Sequence, residues 1–214
     1  MRPLPRTVLA VLLATGSAAV AATDYSESAQ GDLSNDRLRP TVIALSMGAP
    51  GANGRAGNNV LTGATGRSAG GTVDRDYFTV IVPAGHVLSA LRVGNQTTVG
   101  GGGSFIGMAA GGTMPVAENA GSAAGLLGWK VYALADRNTD ILDNLAVSGN
   151  GAAGFTAPLG AGAYTFWVQE LATGSFNYRF NLVLSPVPEP AGWLMLLAGA
   201  ALLGARARRI ALPT

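Results

Sequence analysis

Cysteine is absent from the 214 residues. In an exported chain this removes disulfide stapling, thiol catalysis and thiolate metal sites together. Stability is left to core burial, which a body of about 160 residues can supply. Histidine occurs once, at His86, so any Ser-His-Asp triad would have to use it. It opens a strand directly after a turn, where a hydrogen-bonded or exposed histidine is ordinary, and no catalytic residue is assigned. Charge is scarce, at 12% of the chain, and its placement says more than its formal sum of +2. Arg2, Arg6, Arg206, Arg208 and Arg209 sit at the two ends with Glu189. The body between Ala22 and Ser185 carries nine basic and eleven acidic residues. A net-acidic body removes the main support for nucleic-acid binding.

What the chain has in quantity is glycine, 31 residues. Each interior glycine costs a helix about 1 kcal/mol against alanine, so the composition suits a turn-rich β fold. Thr41 to Leu45 and Val60 to Thr65 read as short strands. Thr72 to Val82 is the strongest strand signal, with Tyr77, Thr79 and Ile81 on one face and Phe78, Val80 and Val82 on the other. Pro83-Ala-Gly85 is a turn, and His86 to Val93 is expected to return as the second arm of a hairpin. Ser104 to Ala110 and Leu126 to Leu134 follow, the latter with Trp129 as a core anchor. Asp140 to Ala146 fits one or two helical turns. Ala163 to Glu170 and Asn177 to Leu184 are two further strands, expected to pair through a hairpin loop at Ala172 to Ser175. The fold class is therefore all-β: an antiparallel sandwich or jelly roll of about seven to nine strands. The polar stretch from Thr23 to Pro40 is expected to be an extended entry segment with at most one short edge strand.

The two ends carry addresses. Arg2 and Arg6 precede the apolar run Thr7 to Val20, and Ala19 and Ala21 form the small-residue box that signal peptidase cuts after. Residues 1–21 are thus a signal peptide, 22–185 the β domain and 186–214 a C-terminal signal. In that last part Pro188-Glu189-Pro190 is followed by an apolar span, 191–205, and then by Arg206, Arg208 and Arg209. The two prolines hold the tripeptide extended. The span is expected to be a transmembrane helix, though short at about 22 Å. Arginines beyond it would stay cytoplasmic, leaving the body outside.

Two resemblances rest on these residues. Val187-Pro-Glu-Pro190, the span and the arginine cluster resemble the PEP-CTERM sorting signal of exported proteins in Gram-negative bacteria. That implies recognition near Pro188-Glu189-Pro190 by an exosortase-type membrane enzyme, with a transient hold in the inner membrane. Gly31 to Asp36, Val73 to Gly85 and Gly160 to Phe166 resemble the bacterial pre-peptidase C-terminal β-sandwich domain. Such modules accompany secreted enzymes or surface proteins and are not catalytic.

Chemistry beyond the addresses is thin. Asp74 and Asp76 lie two apart at a strand start and would point to one side. They are weak calcium candidates, against pairing with Arg75 or Arg92 or capping a turn, and neither a metal nor another cofactor is assigned. Asp136 to Asp140 opens like a calcium loop but has Ile141 where glycine is needed and Val147 where glutamate is needed, so it reads as a turn. Gly149 to Gly154 matches a dinucleotide-binding pattern with no helix behind it to hold phosphate. Trp129, Trp167, Tyr164 and Tyr178 would make a sugar platform only if they escape the core. The expectation is a non-enzymatic protein sorted to the cell surface or extracellular matrix. The alternative is a carbohydrate-binding module with an envelope or biofilm polysaccharide as its partner.

Overall fold

The structure, a computed structural model, describes residues 24–46, 57–187 and Gly199. The signal peptide with Ala19 and Ala21, the Pro188-Glu189-Pro190 motif and the three terminal arginines lie outside the described residues. So do both expected flanking helices, Gly199 apart. Among the described residues no helix is long and apolar enough to cross a membrane.

The chain is mostly strand. In order it forms β1 (Asp24–Ser26), α1 (Glu27–Gln30), β2 (Thr41–Ile43), β3 (Gly57–Arg67), β4 (Val73–Val82), β5 (His86–Val93), β6 (Ser104–Ala110), β7 (Gly128–Tyr132), α2 (Leu142–Leu145), β8 (Gly162–Gln169) and β9 (Gly174–Pro186). One sheet runs β5-β9-β3-β4-β8-β6-β7. It curls so that β5, β9 and β3 face β4, β8, β6 and β7. The halves are joined at one corner, where Gly66 and Arg67 pair with Asp74 and Val73. Two short strands add parallel edges: β1 along Val60 to Thr62 of β3, and β2 along Phe78 to Val80 of β4.

The alternation in β4 explains which face meets which layer. Phe78, Val80 and Val82 enter the central core with Phe166 and Val168 of β8 and Phe180, Leu182 and Leu184 of β9. Phe78 and Phe166 stack at 5.1 Å on adjacent strands, while Tyr132 meets Phe180 edge-on at 5.5 Å from the opposite half. The reverse face of β4 is only partly free. Tyr77 is buried in a second cluster with Trp167, Met114, Val116 and Leu126, whereas Ile81 is 53% exposed. The segment 111–127 makes this second cluster by lying across the outer face of β6 and β8. It is held there by Met114 N–H to Arg37 O at 2.8 Å and by the Arg37 guanidinium to Met114 O at 2.9 Å.

Both expected hairpins are corrected. The turn after β4 forms, with His86 N–H donating to Pro83 O, but β5 then crosses to the opposite half and pairs with β9. Likewise β8 pairs with β4 and β6, and β9 with β3 and β5. The cause is burial: Leu88, Leu91 and Val93 are fully buried in the central core. A bulge between Leu88 and Ala90 shifts the register, letting Leu88 share a face with Leu91, which strict alternation forbids. Trp129 is no central anchor; it is half-buried against the second cluster, stacked on Phe105 at 6.3 Å.

Candidate functional site

The residues from Asp24 to Leu33 form a small built unit. After β1 the chain makes the single turn α1, in which Gln30 Oε1 accepts from Ser26 N–H at 2.7 Å and the Gln30 amide donates to Asp24 O at 3.0 Å. Gly31 ends the turn at φ +97°, a conformation that favours glycine. This folding aims Glu27 back at the sheet. Its Oε2 accepts from Ala64 N–H of β3 at 2.8 Å, and its Oε1 from Leu33 N–H at 3.3 Å. Gly63 makes the approach possible, since a Cβ there would overlap the Tyr178 hydroxyl and lie 2.8 Å from the Glu27 carboxyl carbon.

Asp76 of β4 lies beneath. It is fully buried, and the Tyr178 hydroxyl donates to its Oδ2 at 2.7 Å. Its Oδ1 has no hydrogen-bond partner. Oxygens of Glu27, Asp32 and Asp76 all lie within 4.8 Å of one another. Asp32 is exposed, so the group runs from solvent to the interior. No basic side chain answers it: the only ion pair among the described residues is Lys130 with Asp136 at 3.3 Å. Burial, and then the Glu27 charge, push the Asp76 carboxyl up to about 9 against the opposing Tyr178 hydrogen bond. Burial also raises Glu27, offset in part by the Ala64 and Leu33 N–H groups. An open cleft of about 330 Å³ reaches the site between Glu27, Gly63 and Tyr178, with Arg179 on its wall.

Of the two calcium candidates, the structure brings Asp76 into this cluster and leaves Asp74 beside it. Asp74 Oδ1 accepts from Asn35 Nδ2 at 3.1 Å, and neither aspartate pairs with Arg75 or Arg92. Glu27 and Asp32 escaped the sequence reading because a polar stretch without periodicity looks like a solvated lead-in. The legible signal was Ser26 before and Gly31 after a four-residue segment, which marks a helical turn.

Elsewhere the candidates resolve into structure. Asp136 Oδ2 accepts from Ala133 N–H at 2.8 Å, and Asp140 Oδ1 from Leu91 and Leu142 N–H at 3.0 Å each, so this stretch is a turn that braces β5. Gly149 to Gly154 folds on itself, with Ala152 N–H donating to Gly149 O, and no helix follows. His86 Nδ1 lies 3.3 Å from Ala84 O. The four aromatic residues do not form one platform: Tyr178 is in the central core and Trp167 is 5% exposed. Trp129 and Trp167 nevertheless line a second cleft of about 210 Å³ with Phe105, Glu118 and Gln169, and Trp167 Nε1 has no acceptor there.

No protein-family model matches the chain, and neither a curated protein nor a solved structure matches it. Both resemblances drawn from the sequence rest on their motif residues alone.

Proposed function

We propose that this is an exported, non-catalytic protein of the Gram-negative cell envelope or extracellular matrix, delivered by its two ends. Signal peptidase would release the chain after Ala21. The tail would hold it briefly in the inner membrane until an exosortase-type enzyme acts near Pro188-Glu189-Pro190. The observation that carries the reading is the fit between the folded body and these two signals. β1 begins at Asp24, three residues after the expected cut. β9 ends at Pro186, and Val187 N–H donates to Gly85 O at 2.8 Å. All nine described strands lie between the two signals, so removal of the tail would take none of them with it.

Replacing Pro188-Glu189-Pro190 with alanines should leave a full-length precursor in the membrane, read by mass spectrometry of the C-terminus. Unchanged processing would remove the sorting reading.

A second reading, carbohydrate binding, is favoured by the cleft between Trp129, Phe105 and Trp167. Indole and phenyl faces beside Glu118 and Gln169 suit a sugar ring's apolar face and hydroxyls. A glycan array probed with the protein and with Trp129→Ala tests it: specific binding lost in the variant supports the cleft, and no binding to any glycan removes it.

A further inference from the structure

We propose that Glu27, Asp32 and Asp76 form a calcium site that fastens the N-terminal segment to the sheet. The grouping of oxygens is one observation; the state of Asp76 is a second and independent one. This carboxylate is fully buried, and Tyr178 satisfies Oδ2 alone. Oδ1 is left with no donor beside two other acids. Without a metal such a buried acid is left to keep its proton, because the bare carboxylate is costly there, and a cation is the partner that lets three converging acids share the charged form. The donors are all oxygens, which selects a hard ion over zinc or copper. All three lie within 4.8 Å of one another, close enough for one calcium ion, whose oxygens lie about 2.3–2.6 Å from it, to reach them together. Magnesium demands a near-ideal octahedron and keeps several of its waters, which three carboxylates from separate elements suit less well. The exposed Asp32 and the cleft at Glu27 give the ion a path in and leave positions for water.

The ligands also explain what binding would do. Glu27 belongs to α1 and Asp32 to the turn after it, whereas Asp76 is on β4 in the opposite half from β3, where Glu27 is already anchored. β1 is three residues long, a weak hold by itself. An ion at this corner would tie the first ten described residues to both halves of the sheet.

The test uses the full-length protein in detergent, stripped with a chelator. Terbium is added with excitation of tyrosine, because Tyr178 touches Asp76 and is placed to sensitise the ion. Expected is saturable luminescence that calcium reverses, in the high-micromolar to millimolar range typical of weak modules, about 10⁻⁴–10⁻³ M. Asp32→Asn, an exposed change that leaves the core intact, should weaken calcium competition roughly tenfold, because affinity follows ligand charge. Asp143→Asn, an exposed acid on α2, should change nothing. Calcium should also slow proteolysis and amide exchange across residues 24–33 in the parent and not in Asp76→Asn. Absence of saturable, calcium-reversible luminescence overturns the site, as does an Asp32→Asn response equal to the parent's. Displacement by magnesium at the same concentration as calcium overturns the choice of ion.

Discussion

Two buried acids in this protein show how differently the same group can be accommodated. Glu170, 5% exposed, accepts from Gly100 N–H, Ser104 Oγ and Ala172 N–H at 2.7–2.9 Å. Burial raises its pKa, but these hydrogen bonds outweigh burial and leave it below the ordinary value. Its contribution to stability is therefore present above the unfolded-state pKa and lost as pH falls through the folded one. Asp76 is the opposite case, with one donor and with Glu27, Asp32 and Asp74 as its charged neighbours. Its folded-state pKa lies at about 9, raised from 3.8. Between those values the unfolded chain has released a proton that the folded chain keeps, so stability falls as pH rises. In metal-free protein the melting temperature should fall as pH rises from about 4 towards 9. Asp76→Asn should flatten that slope, and an unchanged slope in thermal melts would place the proton elsewhere.

At the scale of elements, the segment 111–127 behaves as a strap and not as a loop. It contributes no strand, yet its own Met114 is fully buried against the sheet, and Thr165 on the covered face donates to Gly111 O at 2.8 Å. Met114→Ala should cost about 2–5 kcal/mol. It should also speed proteolysis within 111–127 well before global unfolding, measurable by denaturant titration and limited digestion in parallel. Little in the sequence announces the strap, because its glycines and alanines lack periodicity and it is held by backbone contacts to Arg37. The strands themselves were legible where both faces had work to do: β4 alternates because one face meets the core and the other meets the strap. Pairing was not legible. Pro83-Ala-Gly85 encodes a reversal, but whether the returning strand stays in its layer depends on β9, about ninety residues downstream. The acid cluster was half-legible for the same reason. Asp76 stood in a clear strand, while its partners Glu27 and Asp32 came from a stretch whose polarity suggested solvent.

For the whole molecule the order of strands in space matters more than their number. β9 lies between β5 and β3 and carries the longest ladder in the sheet, pairing Gly57 to Gly66 with Ser175 to Leu184. A chain ending at Val187 should keep the melting temperature of one that runs to Thr214. A chain ending at Thr173 should fail to fold, with circular dichroism showing no cooperative transition. Retention of a cooperative melt in the shorter chain would mean that β5 and β3 can close without β9.

That placement has a consequence in time. The strand that seals the layer is the last of the described strands to be made. From the end of β3 to the start of β9 a ribosome needs about 5–20 s at ordinary elongation rates, and until β9 is made β3 and β5 both lack the long ladder each forms with it. The layer that holds β5, β9 and β3 therefore cannot close until β9 has been made. Once Pro186 emerges, closure and release can follow together.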